Sequence, residues 1–371
     1  LQPPAPSDPA SRRNHTSMSS AASQAYLNTR VSVMSTRLFD PTLMANLADW
    51  DMDQLAERFA LTALLDEHLG IRAKNRAIEQ TLIRTLLAEL TILARPMSSA
   101  GRALVLNWGR KYALFNLKTL IRGKLHDLDQ KEIRENLYDL PPDVRLPHKE
   151  LFGAENVLEL LRILERGPYS LLARQAREIY EQKREGFALE AAIDQSYYSG
   201  LARLVMLFHD DNLQPLRELI GACLDRIDLL WLLRFRFSYG FSPSETFYQL
   251  APSLRLLNRE RLLVLVEIDT FDQVLAATPP PLDRLLAGSE NLVDVQRRLG
   301  RYMCDEARRI LHYSQSGVAR ALAYLILREM DLQALFALTQ GRMLGLSGEL
   351  VNIAVELGAP TCPMGTLAAA A

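Results

Sequence analysis

The chain has 371 residues, 48% of them hydrophobic, and its 43 Lys and Arg nearly cancel 44 Asp and Glu. Such a composition belongs to a folded protein and excludes wholesale disorder, as well as a nucleic-acid binder relying on a generally basic surface. Its length admits two or three domains or one array of repeated units, and no apolar run approaches the ~20 residues needed to cross a bilayer.

Residues 1–24 are rich in Pro, Ser and Ala and lack an apolar signal core, so they read as a flexible leader. From Tyr26 onward apolar residues recur at helical spacing, as in Leu82, Leu86 and Leu90, and again in Leu224, Ile227 and Trp231. Pro141-Pro142 and Pro147 predict helix ends and mark the stretch from Tyr138 to Phe152 as a linker. Pro252 marks a second boundary near 252 to 260. Beyond it, the β-like run from Leu262 to Val266 reads as a buried helical segment because of its charged flanks and helical neighbours. Another break follows at Pro279-Pro280-Pro281. The best apolar stretch, Ala321 to Leu327, is closed by Arg320 and Arg328.

Three helix-turn-helix segments resemble one another. Asn116 to Leu125 leads into a turn at His126-Asp127-Leu128, and Asp228 to Phe237 leads into one at Tyr239-Gly240-Phe241. Asp331 to Arg342 leads into the third, at Leu344-Gly345-Leu346. Gly240 and Gly345 suit the left-handed conformation that ends a helix, and Asp127 takes their place in the first segment. Asp129 with Glu132, and Ser242 with Glu245, predict capping boxes on the helix that follows, whereas the third segment keeps only its serine, Ser347. Leu128, Phe241 and Leu346 are expected to pack between the two helices of each turn as staples. The anchors lie roughly 113 and 105 residues apart, which predicts helical units at 25–145, 146–258 and 259–357, followed by a flexible tail at 358–371. Three such units can stack in a line or surround an approximate threefold axis, and the residues alone leave both arrangements open.

Catalytic chemistry finds little support. Gly123-Lys124 lacks the upstream glycine and the following Ser or Thr of a phosphate-cradling loop. The six histidines are scattered, and His209-Asp210-Asp211 reads as a solvated helix end. Cys223, Cys304 and Cys362 are far apart without a CxxC spacing, which fits a reducing, cytosolic setting, and Cys223 reads as a buried, inert thiol. Trp231, Phe235, Phe237 and Tyr239 could form a platform for bases, but Trp231 and Phe235 share a helical face and read as core. No cofactor or metal is expected. Lys118, Arg122, Lys124, Arg234, Arg236 and Arg342 gather near the three turns, either as ordinary helix ends favoured by the dipole or as a surface for an acidic partner.

Taken together, the three units resemble the C-type central-rotor component of the V-type ATPases and archaeal-type ATP synthases, the d component in eukaryotes. The residues that carry the likeness are Tyr26 to Met34 for the first helix and Asn116-Leu117-Lys118 with Arg122-Gly123-Lys124 for the first unit. The last unit adds Ala323-Tyr324-Leu325, Arg328 to Asp331, and Gly341 to Ser347. The asparagine of the first unit becomes Asp228 in the second and Ala334 in the third. The resemblance implies an all-α funnel of three similar helical-bundle domains around a pseudo-threefold axis. It also implies a non-catalytic rotor part on the cytoplasmic side of the membrane, without a transmembrane segment, between central-shaft subunits of the D/F type and the membrane rotor ring. A helical-repeat adaptor or scaffold unrelated to the ATPase is the alternative.

Overall fold

The computed structural model describes residues 9–66, 70–208 and 213–357, and every regular element among them is a helix. His209-Asp210-Asp211, Cys362 and the 358–371 tail lie outside the described residues.

A first helix, α1 (Pro9–Ser35), begins inside the stretch read as a leader. The other α-helices among the described residues fall into three sets of six. The first comprises α2 (Pro41–Asp49), α3 (Met52–Arg58), α4 (Thr62–Asp66), the long α5 (Ile71–Ala94) and α6 (Ser99–Leu125), and the short α7 (Gln130–Glu135). The second comprises α8 (His148–Gly153), α9 (Val157–Leu164), α10 (Ser170–Lys183), the long α11 (Gly186–Leu207) and α12 (Gln214–Leu233), and α13 (Pro243–Gln249). The third comprises α14 (Arg259–Val266), α15 (Phe271–Ala276), α16 (Leu282–Leu286), the long α17 (Leu292–Tyr313) and α18 (Gly317–Met343), and α19 (Gly348–Leu357).

Short polar side chains start many of these helices. The Ser98 and Ser316 hydroxyls accept from the first turns of α6 and α18, and Asn156, Asn258 and Asn291 do the same for α9, α14 and α17. Each such cap stabilises its helix by about 1 kcal/mol. Ser242 and Glu245 form both halves of the expected capping box on α13. At α7 the expectation fails, because the exposed Asp129 carboxylate makes no cap bond and only its backbone carbonyl takes up the Ile133 N–H. The run from Leu262 to Val266 is helical within α14, but only Leu262, Leu265 and Val266 are buried, while Leu263 and Val264 face solvent.

One pairing recurs among the long helices. α6 packs on α11, α12 on α17, and α18 on α5, so the second long helix of each set meets the first long helix of the next, and the third set returns to the first. The seams between them are mainly apolar. Residues 219–233 of α12 are buried without interruption, and Tyr324 of α18 is wholly enclosed. Removing such side chains from water stabilises the fold by roughly 1.5–3 kcal/mol for each large aliphatic or aromatic residue. Trp231 and Phe235 are core residues, with Phe235 stacked on Phe241 at 5.6 Å, whereas Tyr239 is 44% exposed with its ring edge-on to Phe187 at 5.3 Å. Among the described residues no helix is long and apolar enough to cross a membrane.

Candidate functional site

The three turns share a backbone design. Asp127, Gly240 and Gly345 all take positive φ, at 51°, 68° and 64°. The next N–H then folds back to a helix carbonyl at 2.9 Å: Leu128 to Gly123, Phe241 to Phe235, and Leu346 to Gly341. This satisfies carbonyls that a helix end would otherwise leave open. In the second set the bond reaches one residue further back, because α12 continues through a π turn (Arg234–Ser238) that inserts a residue.

The following short helix lies close against two of these ends. A methyl group on Gly123 would collide with Ile133 of α7, and one on Gly341 would meet Val351 of α19 at 2.5 Å. Glycine is therefore required there by close approach, in the first and third sets alike.

The expected staples are corrected by the structure. Leu128 and Leu346 remain 41% and 43% exposed, while a backbone bond closes each turn. Only Phe241 packs inward, half-buried against Phe187, Phe235 and Tyr239. The turn ends thus present exposed apolar groups: Leu128 in the first set, Tyr239 in the second, and Leu344, Leu346 and Leu350 in the third.

Most of the basic residues singled out at the turns are used inside the molecule. Arg122 makes two 2.6 Å bonds to Glu190 on α11, which raises its guanidinium's affinity for the proton. Lys124 donates to the carbonyls of Phe152 and Ala154 at the end of α8. Arg236 donates to the Phe241 carbonyl at 2.9 Å and lies 3.7 Å from Asp269. Arg234 opens the π turn, half-buried, with no ion pair among the described residues, and Arg342 sits in the last turn of α18. Arg122 and Lys124 therefore tie the first set to the second.

Further polar groups are sealed in the helix seams, and of these the sequence singles out only Lys118. Lys118 pairs with Asp194 between α6 and α11. Glu329 on α18 accepts from Lys111 and, at 2.8 Å, from the Tyr112 hydroxyl, both on α6. Glu89 on α5 accepts from Tyr324 at 2.6 Å and from Arg37 at 3.0 Å. Burial, followed by the nearby Glu329 charge, pushes the Tyr112 hydroxyl well above its usual range. A charged residue inside an apolar stretch, such as Lys118 between Leu117 and Leu120-Ile121, is the signal that marks them.

Helices from all three sets converge on Trp108, Lys111, Tyr197, Cys223, Arg226 and Met303, around a cavity of about 20 Å³. That space suits a single water. Burial pushes the Cys223 thiol up to about 12 and the Cys304 thiol up to about 11, and both are free. Thiols held protonated in this way are poor nucleophiles. Among the described residues no group of three or more His, Cys, Asp or Glu is placed to hold a metal ion.

Residues 27–352 match the model of the family described as ATP synthase (C/AC39) subunit. The chain is 23% identical over 355 residues to the C subunit of the A-type ATP synthase of Methanocaldococcus jannaschii, covering 89% of this chain and 86% of that protein. It is 22% identical over 350 residues to the corresponding protein of Methanosarcina mazei, covering 92% and 95% of the two chains. The corresponding protein of Halobacterium salinarum matches at 22% over 311 residues, covering 81% and 86%.

Proposed function

The chain belongs to the ATP synthase (C/AC39) subunit family, and on that premise we propose that it is a non-catalytic coupling part of an A/V-type ATPase, joining the central shaft to the membrane rotor ring. The match across residues 27–352 carries this reading, since it spans all three sets of helices.

The packing supports the mechanical part. A joint that transmits rotation needs fixed angles between its parts, and buried ion pairs at helix seams resist sliding because displacement leaves a charge uncompensated. Lys118–Asp194 and Lys111–Glu329 are so placed. The recurrent pairing of α6 with α11, α12 with α17, and α18 with α5 supports three similar units around a pseudo-threefold axis. Shaft subunits of the D/F type and the rotor ring would be met at the outer ends of these units. The exposed apolar groups at the turns, Leu128, Tyr239 and Leu346, are suited to one such contact. The complex would hold this protein peripherally, on the cytoplasmic face.

Binding of the purified chain to isolated shaft subunits and to detergent-solubilised rotor ring tests the proposal. Saturable binding to both is expected. Binding to neither removes the coupling role and favours a helical-repeat adaptor.

A further inference from the structure

Two of the three junctions between consecutive sets are built with the same clamp. Phe39, Leu146 and Leu257 are buried apolar residues just ahead of the first helix of their sets. At the entry to the third set, Asp225 on α12 accepts the Leu257 N–H at 2.8 Å and the Leu256 N–H at 3.2 Å. At the entry to the first set, Asp331 on α18 accepts the Phe39 N–H at 2.9 Å. Asp225 and Asp331 stand at one register before Gly240 and Gly345, once the residue inserted by the π turn is allowed for. The matching residue of α6 is Ala113, which has no acceptor to offer, and there the seam relies on Lys118–Asp194 and Arg122–Glu190.

The junctions differ in one respect. The peptide chain itself crosses from the first set to the second and from the second to the third, but nothing covalent joins α18 to Phe39. In place of a linker, α1 lies along α18: Arg320 donates to Asn28 at 2.8 Å and to Ser32 at 2.9 Å, and the Gly317 N–H donates to Gln24 at 3.2 Å. Glu89 adds bonds to Arg37 on one side of this junction and Tyr324 on the other.

We infer that the contact between α18 and the first set is a latch, in which the Asp331–Phe39 clamp and α1 hold shut the one junction of the three without a peptide link, and that the array opens there first. An untethered interface releases more chain freedom on parting than a tethered one, so the lowest-lying sub-global opening falls at this seam. The inference rests on the fold and is independent of what the protein is mounted on.

Hydrogen exchange on the full chain, resolved to single amides by fragmentation, tests it by comparing the amides held by the two aspartates, of which Asp225 also accepts from Leu256 and Ser253. After correction for intrinsic rates, the Phe39 amide is expected to exchange faster than the Leu257 amide, by about tenfold or more. Asp331→Ala should accelerate Phe39 and the α1 amides by a further factor of about ten while leaving Leu257 unchanged, and Asp331→Asn, which keeps an acceptor oxygen, should retain most of the protection. Equal exchange at Phe39 and Leu257 in the unmodified chain would overturn the latch, as would equal acceleration of both amides by Asp331→Ala. The first comparison needs no variant, so it decides even if Asp331→Ala fails to fold.

Discussion

Lys118 on α6 donates to both carboxylate oxygens of Asp194 on α11, at 2.9 Å each, and neither side chain is more than 2% exposed. Burial pushes the Asp194 carboxyl upward, and Lys118 pulls it back by charge and by hydrogen bonding. Each partner is therefore tolerated in the seam because of the other. Lys118→Ala strands a buried carboxylate and should destabilise the protein by about 3–5 kcal/mol, read as a lowered denaturation midpoint. The double replacement Lys118→Met with Asp194→Leu should recover most of that loss, since an apolar pair of similar volume removes both desolvation costs. A double variant as unstable as the single one would contradict this account of the seam.

Arg122 and Glu190 invite a charge reversal. Arg122→Glu places two carboxylates together and should lower stability, and the reciprocal Arg122→Glu with Glu190→Arg should restore part of it, by about 1–3 kcal/mol. Thermal unfolding of the two variants measures this coupling. If Arg122 instead serves an outside partner, the double reversal leaves stability where the single one put it.

Gly123 and Gly341 differ from the other glycines of the turns because a short helix occupies the space where a side chain would stand. Gly341→Ala should displace α19 at Val351 and destabilise by about 1–3 kcal/mol, despite alanine's better helix propensity. Gly348→Ala, where the structure shows open space, serves as the control and should be close to neutral. Circular dichroism melts of the two variants give the comparison.

Asp331 predicts a pH dependence. Burial, first, raises its carboxyl from 3.8 to about 7, while the Phe39 N–H, Arg328 and Arg308 each pull it down. Between about pH 4 and pH 7 the folded chain holds a proton at Asp331 that the unfolded chain has released, so folding stability falls as pH rises through that window and levels off above it. A tenfold difference in proton affinity corresponds to about 1.4 kcal/mol. Asp331→Asn should flatten this part of the stability profile, as measured by denaturant melts at pH 5, 6, 7 and 8, and an unchanged slope would contradict the assignment.

The helical class is legible in the sequence because apolar spacing of 3.6 is a local property. The turns are legible too, since Gly240, Gly345 and the αL-tolerant Asp127 report a backbone need directly. The clamps and ion pairs are hidden for the opposite reason. Lys118 and Asp194 are 76 residues apart, and Glu89 and Tyr324 are 235 apart, so nothing local announces that they meet. Arg122 and Lys124 show the same gap: a basic helix end looks alike whether it faces solvent or a buried carboxylate. Leu128 and Leu346 look like staples in the sequence because an apolar residue after a left-handed turn has two roles, packing inward or standing outward for another chain, and only burial separates them. The π turn in α12 leaves no mark in composition, yet it shifts the register of the second set by one residue.

Co-purification tests the central claim most directly. Tagged protein captured under mild detergent from cells that make it should carry the shaft, the rotor ring and the catalytic subunits of an A/V-type ATPase in fixed ratio. Capture of the chain alone, while the intact ATPase is recovered separately from the same extract without it, would contradict the account.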